Sequence, residues 1–150
     1  MFNKLIKTEN DLVSLILRVT LGVIMFPHAA QKVFGWFGGF GVPGTLEFFG
    51  SLGIPAWLGV FAIAAEFLGA VALVIGLFGR VAALAVAGLM IGAIVTVHLP
   101  NGFFMNWSGA QVGEGIEYHL LVLAITVVLA LKGSGALSVD RVLSRPGSGA

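Results

Sequence analysis

Four long apolar runs, parted by short polar or glycine-rich stretches, dominate the chain. They extend from about Leu12 to Phe34, Trp57 to Phe78, Val81 to Leu99 and Ile116 to Leu131. A bilayer core is about 30 Å thick and a helix rises about 1.5 Å per residue, so a run of about 20 apolar residues can cross it. The pattern predicts an all-α membrane protein, one domain over residues 1–150 built as a bundle of four transmembrane helices. Only Gly79 and Arg80 separate the second run from the third, which makes the two a tight antiparallel hairpin with a cation at its turn. A basic segment before the first run would also suit a cleaved secretory signal. The length of the run, Arg18 within it and the lack of a small-residue cleavage site favour a retained helix.

The connections on one side are unusual. From Gly35 to Pro55 glycines alternate with Trp36, Phe37, Phe40, Phe48 and Phe49, and from Pro100 to Gly115 the same style returns with Phe103, Phe104 and Trp107. Aromatics this dense at a membrane boundary predict loops folded into the headgroup region or over the mouth of the bundle. Lys4, Lys7, Arg80, Lys132, Arg141 and Arg145 fall on the other side. The aromatic loops carry Glu47 and Glu114 and lack Lys and Arg. By the positive-inside rule both termini are cytoplasmic and the aromatic loops face outward. The tail from Ser144 to Ala150 reads as a flexible end.

Composition sharpens this picture. Mean hydropathy is +1.04, with 58% hydrophobic and 10% charged residues, far below the roughly 25% charged of a soluble domain. A net charge of +1 leaves no basic face for nucleic acid. The absence of Cys excludes disulfides, Cys-held Fe–S clusters and thiol relays, so any redox role draws on a cofactor or a partner. Small residues recur at helix-packing spacing, Ala65, Gly69, Ala72 and Gly76 in the second run and Gly88 with Gly92 in the third. Packing inside one bundle is the favoured use of both seams, ahead of a dimer face.

Ionisable groups inside a membrane cost about 2.5 to 3.5 kcal/mol each on insertion scales, so they pair, face a cavity or work. Here they are Arg18, His28, Lys32 and Glu66, with His98, Glu117 and His119 at the outer boundary. Counting along the helices puts Arg18 about 9 Å from the inner end and Glu66 near the midplane. That predicts an Arg18–Glu66 ion pair with His28 as the competing partner, and places Lys32 too shallow for Glu66 but level with Glu117 and His98. His28, Gln31 and Lys32 share a helical face just after Pro27. With Glu66, His98, Glu117 and His119 they predict a polar pocket in the outer half, its mouth lined by Trp36, Phe40 and Phe104. Three readings stay open: a structural network that fixes helix register, a pocket for a small redox or lipid-soluble molecule with Glu66 and a His moving protons, and a metal or haem on His98 and His119 or on His28 with a carboxylate. Three scattered histidines without a spacing such as HxxxH weigh against the last, and no metal site is expected.

Several short motifs resemble those of the DoxX family of small bacterial membrane proteins. They are Pro27 to Gly35, Glu66 with Gly69, Gly76 to Arg80, His98 with Asn101 to Phe104, Glu117–Tyr118, and Gly133, Gly135, Ser138, Val139 and Asp140. Coverage is nearly the whole chain; Ala29 departs from the Gly expected after the histidine. The resemblance implies a four-helix bundle in the bacterial cytoplasmic (inner) membrane. It also implies an association with redox chemistry, because the family is similar to the small subunit of a thiosulfate:quinone oxidoreductase and to a membrane component linked to oxidative-stress enzymes. Two functions follow as expectations. One is a subunit or accessory of a membrane oxidoreductase whose outer pocket takes a quinone, with Glu66 and His28 carrying protons, Lys32 and Glu117 holding the pocket's shape, and no self-contained catalytic site. The other is a non-enzymatic scaffold for a protein partner, or a homo-oligomer packed through the Gly88–Gly92 seam.

Overall fold

The computed structural model describes residues 2–144; Arg145 and the rest of the tail lie outside them. Among the described residues the regular elements are all helical: α1 (Phe2–Ile6), α2 (Leu12–Phe34), α3 (Gly41–Ser51), α4 (Ala56–Ile75), α5 (Gly79–Ala93), α6 (Glu117–Lys132) and α7 (Val139–Leu143). A π-helical stretch, Ile94–His98, and a 3-10 turn, Leu99–Asn101, prolong α5. The helices close a ring in which α2 packs on α4, α4 on α5, α5 on α6 and α6 on α2. Leu21, Met25, Leu73, Val86, Val122 and Leu129 fill the centre.

Three helices are long and apolar enough to cross a membrane: Leu12–Phe34, Ala56–Ile75 and Gly79–Asn101. The fourth run forms α6, whose 16 residues reach only about 24 Å. The first glycine-rich connection holds a helix, α3, against which Gly41, Gly44, Gly50 and Pro43 argue by propensity. Packing on α2 and α4 overrides that propensity, and Pro43 sits in the first turn, where no intrahelical N–H is needed.

The inner end, where α1 and α7 lie, is organised by charge. Antiparallel helices bring two N-termini and two C-termini to the same level, with orphan N–H groups at the former and orphan carbonyls at the latter. Each of the four is met by a side chain of opposite sign. At the start of α2, the Asp11 carboxylate accepts from Val13 N, Ser14 N and Ser14 Oγ and pairs with Lys132 Nζ at 3.1 Å. The Ser14 hydroxyl first, then Lys132, hold it down to about 2. At the start of α5, Asp140 accepts from Phe78 N at 2.7 Å, Gly79 N at 2.9 Å and Ser134 Oγ. At the end of α6, Arg80 Nη1 donates to the Ala130 and Leu131 carbonyls, and Nη2 to the Lys7 carbonyl.

The fourth terminus belongs to Arg18, 1% exposed. Its Nη1 donates to the Leu73 and Val74 carbonyls at 2.9 and 2.6 Å, at the end of α4. Nε donates to Ser134 O at 2.7 Å, and Nη2 to Ala136 O and Leu137 O at 3.1 and 2.7 Å. All five guanidinium hydrogens are thereby matched to five carbonyls. The arrangement ends α4 at Ile75, so the hairpin turn is Gly76–Phe78 and not Gly79–Arg80 as the hydropathy suggests. Gly76 has φ 70°, and a Cβ there would stand 2.9 Å from Arg18 Cζ.

The expected Arg18–Glu66 ion pair is not formed. Counting depth from flush helix ends assumed the wrong register: Phe34, the last residue of α2, packs edge-on against Phe67 in the middle of α4, with ring centroids 5.5 Å apart. That shift drops Arg18 to the inner turn of the hairpin and raises Glu66 to the outer end of α2. Of the two small-residue seams, Gly69 packs within the bundle, 3.5 Å from its would-be Cβ to Val86 Cγ2. Gly88 and Gly92 do not: nothing lies within 4 Å of a Cβ at either.

Arg18→Met should destabilise the protein by more than about 3 kcal/mol, because it strands buried carbonyls at two places at once. Arg18→Lys should recover only part, since one ammonium cannot reach all five acceptors. Thermal melts in mild detergent measure this; a methionine variant within about 1 kcal/mol of the parent would refute the central role given to Arg18.

Candidate functional site

The outer half of the bundle holds a second polar group, built from α2, α4, the π stretch and the start of α6. Glu66 is buried on α4, and Lys32 reaches it from the last turn of α2, Nζ to Oε1 at 2.8 Å. Lys32 also donates to the carbonyl of His28 at 3.3 Å. The register shift described above makes this pairing reachable and corrects the placing of Lys32 as too shallow. A cation in the last turn also suits the negative end of the α2 dipole.

From there a row of rings crosses to α6 and α5. The His28 ring lies 6.1 Å from that of Tyr118, Tyr118 lies edge-on to His119 at 5.5 Å, and His119 stands 4.1 Å from His98. The Tyr118 hydroxyl donates to Met25 Sδ at 3.7 Å. His119 is buried, and its Nδ1 is one of two buried side-chain atoms without a hydrogen-bond partner among the described residues. His98 belongs to the π stretch, the type of local widening that often marks functional sites, with Pro100 two residues on. Its Nδ1 lies 2.9 Å from the Glu114 carbonyl.

Other predicted members stand apart. Gln31 is turned to the loop, donating from Nε2 to the Phe37 carbonyl at 3.2 Å, and so leaves the stripe it was placed on with His28 and Lys32. The Glu117 backbone N–H donates to the Phe103 carbonyl at 2.9 Å, but its carboxylate takes no hydrogen bond or ion pair among the described residues. Trp36 stacks on Phe34 at 4.9 Å, whereas Phe40 and Phe104 are 81% and 67% exposed. Phe26, Phe67, Phe34 and Trp36 make a continuous aromatic row along the α2–α4 seam beside Lys32 and Glu66. Tyr118 is the member that residue-type reasoning missed. Being the only tyrosine of the chain and next to His119 in sequence was the available signal.

The second outer loop is tied down by its backbone. Gly115, Ile116 and Glu117 donate in turn to the carbonyls of Phe104, Gly102 and Phe103. A Cβ on Gly115 would run into the Gly102 and Phe104 carbonyls, so glycine is needed there for these backbone hydrogen bonds to form.

The family profile of DoxX matches residues 13–99 of this chain. A protein of Bacillus subtilis (strain 168) named "Putative oxidoreductase CatD" is 35% identical over 127 residues, covering 85% of this chain and 84% of the relative. "Inner membrane protein YqjF" of Escherichia coli (strain K12) is 26% identical over 144 residues, covering 93% and 98%. No solved structure matches the chain.

A double-mutant cycle on Lys32→Met and Glu66→Gln should show a coupling of about 2 kcal/mol, since either single change leaves one charge unanswered, the buried Glu66 or the half-buried Lys32. The same cycle with Arg18 in place of Lys32 should couple by less than about 0.5 kcal/mol. The opposite ranking in detergent melts would restore the Arg18–Glu66 pair.

Proposed function

The chain belongs to the DoxX family, and from that premise we propose that it is a membrane subunit or accessory of an oxidoreductase system whose outer-half cluster takes a quinone or similar lipid-soluble molecule. One observation carries this reading. All three histidines, the only tyrosine and the Lys32–Glu66 pair converge in one contiguous group, parted from the buried polar groups around Arg18 at the inner end by the apolar centre of Leu73, Val86 and Leu129. Groups that can change protonation, gathered where ionisation is expensive, are the signature of proton-handling sites.

The chemistry fits a two-electron carrier. Each carbonyl oxygen of a quinone accepts a hydrogen bond and takes up one proton when a partner protein delivers two electrons. Glu66 and His28 lie toward one end of the group and His119 toward the other, so protons for both oxygens can come from this chain. The aromatic row from Phe26 to Trp36 offers stacking faces for a planar ring. We read α6 as the fourth crossing, its shortfall in length made up by the outer loop and Lys132. Lys7, Arg80, Lys132 and Arg141 at the inner end support cytoplasmic termini in a bacterial inner membrane.

Purified protein should bind a short-chain quinone analogue, followed by quenching of tryptophan fluorescence. Glu66→Gln and His119→Gln should each weaken binding about tenfold, or about 1.4 kcal/mol. Affinity unchanged in both folded variants would sink this reading.

One observation favours a second reading, a homo-oligomer. Gly88 and Gly92 face open space and share a stripe with exposed Leu84 and Val95 on the lipid side of α5. Cross-linking in membranes should then yield a dimer that Gly88→Leu abolishes without lowering the melting temperature. A dimer that survives the leucine would place the contact elsewhere.

A further inference from the structure

At the inner end a groove of about 380 Å³ opens between the starts of α2 and α5 and the end of α6, with Lys7, Asp11, Arg80, Leu131 and Lys132 among its walls. Because α2 and α5 begin there and α6 ends there, the groove lies where the bilayer gives way to its headgroups.

Its charges are unequally committed. Asp11 is occupied by two backbone N–H groups, the Ser14 hydroxyl and Lys132. Glu9 also lines the groove and is exposed. Against these two carboxylates stand Lys7, Arg80 and Lys132, an excess of one positive charge. Lys7 makes no side-chain hydrogen bond or ion pair among the described residues. Arg80 is pinned by three carbonyls, so its guanidinium is held in place before any ligand arrives, and its Nε is left without a partner. Below this level exposed Leu131, Val81 and Leu84 lead toward the bilayer interior.

We propose that this groove holds the headgroup of an anionic phospholipid, with the phosphate between Arg80, Lys7 and Lys132 and the acyl chains along Leu131, Val81 and Leu84. A basic recess between helix ends at headgroup level is suited to such lipids. The single excess charge matches a headgroup of net charge −1. A zwitterionic headgroup would leave it unanswered, and a free phosphate would leave the apolar flank unused. The site is independent of the outer cluster and lies at the opposite end of the bundle.

The full chain, purified in mild detergent, is titrated by native mass spectrometry with phosphatidylglycerol, phosphatidylcholine and inorganic phosphate. Phosphatidylglycerol should be retained at one site, about tenfold more tightly than phosphatidylcholine, and inorganic phosphate should not displace it. Lys7→Gln should weaken retention about fivefold, the share of one cation near a lipid phosphate, with its melting temperature unchanged. Equal retention of the two lipids, displacement by phosphate, or indifference to Lys7→Gln would each overturn the proposal. The lipid comparison needs no variant and so does not depend on one folding.

Discussion

A guanidinium inside an apolar bundle has to find five acceptors in the protein, because lipid offers none. Arg18 finds them in five backbone carbonyls, two at the end of α4 and three in the segment after α6. This requirement shapes the inner end. The carbonyls of Leu73 and Val74 are free to accept because α4 stops at Gly76. Those of Ser134, Ala136 and Leu137 reach Arg18 because the chain turns back after Gly133, with Gly133 and Gly135 at positive φ and no room for a Cβ against Asp11 and Ser14 beside Gly135. The same returning segment brings Asp140 to the start of α5. One buried cation thus links α2 to the end of α4 and to the segment that follows α6.

The helix ends at this level follow one electrostatic rule. Carboxylates meet the two N-termini and guanidinium groups the two C-termini, so backbone groups that lipid could not satisfy are satisfied by side chains of the sign that the helix dipoles favour. The outer end is built differently. Its connections are glycine-rich, α5 widens into a π stretch before Pro100, and the polar groups are held by one ion pair, a few hydrogen bonds and ring contacts. Each end keeps one buried side-chain nitrogen without a partner among the described residues, Arg80 Nε at the inner end and His119 Nδ1 at the outer.

Hydropathy made much of this legible. The bounds of α2 agree to the residue, and the hairpin of α4 and α5 was visible in the near absence of polar residues between them. Register was not, because periodicity says which face of a helix is apolar but not how far one helix slides along another. The slide decides partners, which is why Glu66 belongs to Lys32 and Arg18 to carbonyls. The roles of Gly133, Gly135, Ser138 and Asp140 were equally hidden, since they satisfy backbone groups far away in sequence. Helix α3 was missed because its glycines and Pro43 are poor helix formers, and only packing on α2 and α4 compensates.

The asymmetry of the two ends bears on how an outer cluster could exchange protons. From Glu66 inward, the centre of the ring is filled by the apolar side chains of Ala70, Leu73, Val86 and Leu129, with the buried Thr126 hydroxyl bonded back to the Leu123 carbonyl of its own helix. Beyond them lies Arg18, whose hydrogens are all committed and which would have to give up five bonds to open a path. Outward, His98 is half-exposed and contacts a loop that water can reach. Glu66, His28, Tyr118 and His119 therefore connect through His98 to a loop at their own end of the bundle, and apolar side chains part them from Arg18.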